Sequence, residues 1–155
     1  METDYAKKLK SFCESASVDA EVIFFDGSCH SAAEAAETVG VDITDIVKSI
    51  GMIAPDGRFI VAIVKGEDRA STSRVAKALQ IGRPRIAEPD EVLEKAGYPV
   101  GGTPPVGYEA VFLVDSRVME KDIVYAGGGS TRSILRIAPG EIIKSNNGTI
   151  ARVRK

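Results

Sequence analysis

The sequence predicts one α+β domain whose mixed, largely antiparallel sheet closes into a barrel-like form. The chain has 155 residues, 44% of them hydrophobic and 27% charged, which suits a single compact core. Helical and strand patterns interleave irregularly, without the regular alternation of a parallel βαβ fold. No apolar run approaches the ~18 residues of a membrane span. The first residues do not resemble a secretory signal, so we expect a cytoplasmic protein with no membrane contact.

The N-terminal half predicts two helices, a strand and a hairpin. Apolar residues recur every three or four positions over residues 5–16, which predicts a first helix. Residues 21–25 predict a strand, and a capping box that begins at Ser31 predicts a second helix as far as Gly40. Residues 49–64 predict a β-hairpin around a Pro-Asp-Gly turn.

The C-terminal half predicts two more helices and several strands. Hydroxyl residues at 71–73 are candidate N-caps of a third helix, and Glu-Pro-Asp at 88–90 opens a fourth that Gly97 ends. The Gly- and Pro-rich residues 97–107 predict an irregular loop. Strands are predicted at 110–114, 122–125 and 134–137, and a hairpin at 141–153 around Asn-Asn-Gly.

Few residues of the chain suit metal or nucleophilic chemistry. Two cysteines and one histidine, Cys13, Cys29 and His30, lack the spacing of a zinc site, and we expect neither a metal nor a cofactor. A Cys29–His30 nucleophile–base pair is disfavoured because adjacent strand residues point to opposite faces. The G-x-S-x-G, Walker A and complete G-x-G-x-x-G motifs are absent from the sequence.

Charge is distributed unevenly along the chain. Residues 1–47 carry ten acidic and three basic side chains, whereas residues 65–85 carry six basic and two acidic ones. Residues 130–155 carry six basic side chains and one acidic side chain. The two basic segments predict an anion-binding face. The alternative is that both are ordinary solvated surfaces.

Lys48 and two glycine-rich loops are the candidates for chemistry. Lys48 lies beside apolar residues at the start of a predicted strand, where desolvation lowers the pKa of an amine. The loops are Gly-Gly-Thr-Pro-Pro-Val-Gly at 101–107 and Gly-Gly-Gly-Ser-Thr at 127–131. Their bare backbone can approach an oxyanion or phosphate closely. The alternatives are a surface lysine and tight packing of backbone on backbone.

These features, in this order, resemble the YbaK/ProRS-associated editing-domain family of aminoacyl-tRNA deacylases. The resemblance covers residues 18–143 and is carried by the stretches 45–50, 75–79, 96–107 and 125–129. It implies a barrel-like mixed sheet with flanking helices, and one editing domain over residues 1–155. It also implies hydrolysis of mischarged aminoacyl-tRNA, typically tRNA for proline, with prolyl-tRNA synthetase as a partner.

The resemblance assigns roles to individual residues. Lys48 matches the signature lysine that holds the 3′-terminal adenosine, and Gly101 and Gly102 match the Gly-Gly-x-x-Pro loop, whose amides are candidate oxyanion donors. Further residues implied for substrate binding are Val22, Phe24, Ser49, Pro105, Gly127, Gly128, Gly129, Ser130 and Thr131. The basic residues expected to contact tRNA phosphates are Arg69, Arg74, Lys77, Arg85 and Arg132.

An aminoacyl ester is already activated, so modest catalysis suffices to hydrolyse it. The site must fix the acyl carbon, stabilise the oxyanion and admit one water. We interpret Lys48 as a cationic anchor rather than a base, and the resemblance implies that a ribose hydroxyl of the substrate moves the proton.

The serine and threonine residues at 130–133 and the doubled proline depart from the sequence pattern of the family. The identity of the edited amino acid therefore stays open among alanine, cysteine and serine. A non-catalytic module that binds tRNA or a synthetase, and a hydrolase of a small activated acyl compound, are the alternative functions.

Overall fold

The computed structural model describes residues 2–27 and 31–155, and the predictions for Cys29 and His30 lie outside these ranges. The α-helices in the described chain are α1 (Glu2–Ser15), α2 (Ala32–Val39), α3 (Thr72–Leu79), α4 (Pro89–Ala96) and α5 (Pro139–Asn146). The strands are β1 (Ala20–Phe24), β2 (Val47–Ile53), β3 (Phe59–Lys65), β4 (Arg85–Ile86), β5 (Val111–Asp115), β6 (Val124–Gly127), β7 (Ser133–Ile137) and β8 (Thr149–Ala151). Short 3-10 helices span Ile43–Asp45 and Val118–Glu120. None of the helices in the described ranges combines the length and apolar character that crossing a membrane requires.

The described strands form two sheets. An antiparallel sheet has the order β1–β7–β6, and a mixed sheet has the order β4–β2–β3–β5–β8. In the mixed sheet β5 runs parallel to β3 and β8, while β2 is antiparallel to β3 and β4. A single bridge from Ile46 to Tyr125 brings β6 beside the start of β2. The mixed α+β class is therefore confirmed. Within residues 2–27 and 31–155 neither sheet closes on itself, so the barrel-like form is not supported.

Local capping chemistry explains the middle helices. The Ser31 hydroxyl accepts the Glu34 N–H at the start of α2, and Gly40 ends it in the left-handed region at φ 78°. Ser71 accepts the Arg74 N–H at the start of α3. At α4, Pro89 occupies the first turn and Gly97 follows the last residue. These three helix predictions are confirmed because each depends on neighbouring residues alone.

The predicted hairpin at 141–153 is wrong. Residues 139–146 form the helix α5, with Pro139 in its first turn and Ile142 buried, and β8 pairs parallel with β5 instead. Asn147 adopts φ 56° as the C-cap of α5. A left-handed Asn before Gly is typical both of a hairpin turn and of a helix C-terminus, so this local signal does not separate them.

The central strand β3 is buried on both faces, and all seven of its residues are buried. One face, which carries Val61 and Ile63, packs in the main core with residues from α1, α4 and the antiparallel sheet. The other face, which carries Ala62 and Val64, packs against Val75 of α3. Burial on both faces explains the unbroken apolar run of this strand.

A buried carboxylate ties the end of β5 to the C-terminal residues. Asp115 is fully buried and accepts the backbone N–H groups of Arg117, Val153 and Arg154 at 3.1, 2.8 and 3.1 Å. Its Oδ2 also pairs with the Arg154 guanidinium at 2.9 Å. Backbone bonding between Ser71 and Val153 and a bridge from Ala70 to Arg154 extend this junction. The junction thus brings the two basic segments of the sequence together.

We expect Asp115→Asn to lower the free energy of unfolding by about 3 kcal/mol, because an amide nitrogen would replace an acceptor that faces buried donors. Urea denaturation of the variant and the wild type measures this. Asp122→Asn, at an exposed aspartate, is the matched control and should shift stability by less than ~0.5 kcal/mol. Equal effects of the two substitutions would contradict the role given to Asp115.

Candidate active site

A cavity of about 390 Å³ opens between the start of β2, strand β6, helix α2 and the loops that follow α4 and β6. Its volume is in the ~300–1,000 Å³ range of small-molecule sites. Of the residues predicted from sequence, those that line it are Lys48, Ser49, Gly101, Gly127, Ser130 and Thr131. The fold therefore brings the lysine and both glycine-rich loops to one place.

Lys48 is half-buried at the edge of the mixed sheet. Its Nζ donates to the Gly66 carbonyl across a long contact of 3.5 Å. Burial lowers the pKa of Lys48, and the positive charge of Arg69 lowers it further, while Asp68 opposes the shift. Lys48 lines the cavity and the Arg69 charge acts on it from nearby, so an anion bound at Lys48 would relieve the repulsion between the two cations.

The two glycine-rich loops contact each other through backbone. The Gly129 N–H donates to the Gly102 carbonyl at 2.7 Å. A Cβ added at Gly102 would lie 2.6 Å from the Ser130 nitrogen, and one at Gly127 would overlap the Thr103 carbonyl. These contacts leave no room for side chains, so the loops can meet only as glycine backbone.

The glycines consequently divide into two groups. Gly128 and Gly129 are buried against backbone, the latter at φ 97° beside Tyr5 of α1, and they do not line the cavity. Gly102 is buried as well, so close packing accounts for all three. Gly101 lines the cavity and is open: a Cβ there would find its nearest neighbour, the Thr131 Cγ2, at 3.8 Å. Of the two glycines assigned as amide donors, only Gly101 is placed to act on a ligand.

The serines that follow β6 form a hydrogen-bond chain that shapes their loop. The Ser133 hydroxyl donates to the Gly128 carbonyl at 2.8 Å, so at the 2.8 Å contact between the two serines Ser130 is the donor. Ser130 in turn accepts the Arg132 N–H at 3.1 Å. Because the Ser130 proton is already engaged, this residue supplies shape to the cavity wall rather than a free donor.

Val22 and Phe24, which the sequence predicts to bind substrate, are not among the residues that line this cavity. The cavity is lined by β6, by Ser133 and Ile134 of β7 and by Phe25, which directly follows β1, whereas β1 itself lies at the far edge of its sheet. Phe24 is 47% exposed and Val22 packs against the main core. Pro105 does not line the cavity either. It is buried, and its carbonyl accepts a hydrogen bond from the Asn146 side-chain amide at 3.0 Å.

The predicted tRNA-contacting residues differ in their surroundings. Arg69 is exposed and close enough to Lys48 to affect its pKa, and Arg132 is exposed next to a residue of the cavity wall. Arg85 forms a bidentate salt bridge with Glu91, with N–O distances of 2.7 and 2.8 Å, and this pairing largely neutralises the charge of Arg85. On α3, Arg74 is half-buried and Lys77 exposed.

Several cavity residues were not anticipated from the sequence. Gly66, whose carbonyl accepts a hydrogen bond from the Lys48 ammonium, directly follows β3. The register of the β2–β3 hairpin pairs Val47 with Lys65, and this register would have placed Gly66 next to Lys48. Ile86 and Val100 line the cavity and are 51% and 55% exposed. No local signal marks these two, since an isolated exposed apolar residue is common on protein surfaces.

Comparison with known proteins agrees with this geometry. The sequence profile of the aminoacyl-tRNA editing domain matches residues 26–145. An uncharacterised Bacillus subtilis protein, YwhH, is 26% identical over 79% of this chain and 78% of its own length. A proline–tRNA ligase of Pseudothermotoga lettingae is 33% identical over 63% of this chain, which is 17% of the ligase. A crystal structure of a candidate trans-editing enzyme for prolyl tRNA synthetase superimposes with a TM-score of 0.90, 27% identity and 97% coverage of each chain.

The fold, together with these matches, defines the class of the protein as an aminoacyl-tRNA editing domain. The chain belongs to the aminoacyl-tRNA editing domain family, because the matched profile spans most of its length. The family resemblance inferred from sequence is thus confirmed. The match to the proline–tRNA ligase covers only a segment of that enzyme, so it relates this chain to one part of the ligase.

The packing of the two loops predicts a large difference between two glycine substitutions. Gly127→Ala should lower the free energy of unfolding by roughly 1–3 kcal/mol or more, because its methyl group meets the Thr103 backbone. Gly140→Ala, in α5 with nothing within 4 Å, should be neutral or stabilising by up to ~1 kcal/mol. Thermal and urea unfolding measure both. A well-tolerated Gly127→Ala would refute the contact between the loops.

Proposed function

We propose that this protein is an aminoacyl-tRNA deacylase that acts in trans. It hydrolyses the ester between a small non-cognate amino acid, alanine, cysteine or serine, and the terminal ribose of tRNA for proline. The observation that carries the proposal is the meeting of Lys48 with Gly101 and Gly127 around one cavity. Family membership supports editing in general, and the kinship with proline–tRNA ligases supports the choice of tRNA.

The reaction needs no nucleophile from the protein. Water adds to the acyl carbon and the bond from that carbon to the ribose oxygen breaks. One proton of the water ends on that ribose oxygen, and the hydroxyl group stays on the acyl carbon of the released amino acid. No Asp, Glu or His is among the described residues that line the cavity. A neighbouring hydroxyl of the substrate ribose is the group that carries the proton, as the family resemblance implies. The protein contributes position and electrostatic stabilisation.

Lys48 and Gly101 take separate parts in this scheme. The Lys48 ammonium, with Arg69 beside it, anchors the phosphate of the terminal nucleotide. The exposed backbone of Gly101 approaches the acyl group and stabilises the developing oxyanion. The small residues of the wall, such as Ala35 and Ala126, leave room for a short side chain.

We expect Lys48→Ala to lower the rate of deacylation at least ~100-fold, because the acyl carbon is no longer held in place. A panel of tRNAs charged with alanine, cysteine, serine and proline, followed by loss of the acyl group, measures the rate. Lys7→Ala, at an exposed lysine of α1, is the matched control and should keep full activity. If no acyl group is lost with the wild type, or Lys48→Ala stays active, the proposal fails. Salt-sensitive tRNA binding without turnover would instead indicate a non-catalytic module, and turnover of a thioester without tRNA would indicate a small-molecule hydrolase.

Binding of tRNA should depend on Arg69 far more than on Arg85. We expect Arg69→Ala to weaken binding severalfold and to reduce the slope of log affinity against log salt concentration by about 1. Arg85→Ala should change the slope much less, because Glu91 already neutralises that cation. Filter binding or fluorescence anisotropy at several salt concentrations gives both slopes. Equal slopes for the two variants would contradict this assignment.

A further inference from the structure

One polar atom in the cavity wall has no hydrogen-bond partner. The Ser49 hydroxyl oxygen is buried, and within residues 2–27 and 31–155 it neither donates nor accepts a hydrogen bond. Ser49 itself lines the cavity. A buried hydroxyl left unpaired costs free energy, so a ligand group that pairs with it gains binding energy that a purely apolar ligand cannot.

The strand geometry places this hydroxyl away from the cationic anchor. Successive residues of a strand point to opposite faces, so Ser49 shares a face of β2 with Val47 and Gly51, and Lys48 lies on the other. Val47 belongs to the main core, as do Val92 and Ala126, which also line the cavity. Ser49 therefore presents an unpaired hydroxyl beside apolar residues of the wall, on the side where an aminoacyl side chain would lie if Lys48 holds the nucleotide.

The chemistry of that wall selects among possible partners. A substrate ammonium there would lose its hydration without gaining a carboxylate, since the described lining residues include none. A methyl group would fit but leave the Ser49 hydroxyl unpaired. A thiol is a weak donor and a weak acceptor, whereas a hydroxyl does both well. A short side chain that ends in a hydroxyl matches the wall best.

We propose that Ser49 is a specificity-determining residue. Through a hydrogen bond between its hydroxyl and the hydroxyl of a seryl group, it makes tRNA for proline charged with serine the preferred substrate over the same tRNA charged with alanine. This inference rests on the proposed deacylase function and adds the identity of the amino acid. Sites built to hydrogen-bond a substrate hydroxyl reject the analogue that lacks it strongly, because their own polar group is then left unpaired.

The test compares one tRNA for proline charged with serine, alanine or cysteine. With the wild type we expect kcat/KM to be about tenfold or more higher for serine than for alanine, with cysteine between them. Ser49→Ala should reduce the serine-to-alanine ratio at least about tenfold, and Ser49→Thr, which keeps a hydroxyl, should preserve the preference for serine. Ser11→Ala, at an exposed serine of α1, is the matched control and should leave the ratio unchanged.

Each outcome separates the two proposals. If alanine is removed as fast as serine, or Ser49→Ala keeps the ratio of the wild type, the inference about Ser49 is overturned and the deacylase stands. If none of the three esters is hydrolysed, the proposed function itself fails. The unfolding temperature of Ser49→Ala should equal or exceed that of the wild type, because the substitution removes an unpaired buried hydroxyl. A lower unfolding temperature would show that the hydroxyl already has a structural partner and would overturn the inference.

Discussion

The contact between the two glycine-rich loops is the constraint on which the cavity depends. The Gly102 carbonyl accepts the Gly129 N–H, and the backbone around both positions is too close for any side chain. Helix α1 supports this contact from behind, because the backbone at Tyr5 lies against Gly129. The wall opposite β2 is therefore built from backbone that is held on two sides. A wall of this kind keeps its shape without ligand, which is what a site that works by positioning requires.

Ion pairs limit how much of the chain's positive charge is available to bind an anion. Several cations of the basic segments and their surroundings are engaged in ion pairs, namely Lys65 with Glu67, Arg85 with Glu91, Arg117 with Asp68 and Arg154 with Asp115. Lys48, in contrast, lines the cavity, and the Arg69 charge lies near enough to lower its pKa. An acidic protein can thus present a local anion site, and nearby pairs such as Arg117–Asp68 help to hold the segment that carries Arg69.

Successive side chains of β2 point to opposite faces of the strand. Lys48 serves one face and Ser49 the other, so one short stretch of chain presents a cation and a hydroxyl to different parts of the cavity. The remaining wall combines small and apolar residues of β6, α2 and α4 with hydroxyl side chains such as Thr103 and Ser130. In the proposed reaction, the size of the cavity and a hydrogen bond to Ser49 would act on the same substrate group.

The sequence by itself determined the features that depend on near neighbours. The caps at Ser31 and Ser71, the β2–β3 hairpin and the order of motifs that indicates the editing family are all local or follow chain order. Tertiary structure alone decided which glycines face the cavity: Gly101 is open at φ 93°, whereas the backbone of Gly129 and Ser130 packs against Gly102. It also decided that β6 rather than β1 borders the cavity, and that the chain after Pro139 is helical. Strand order and burial arise from contacts between distant segments, and a one-dimensional pattern carries no record of them.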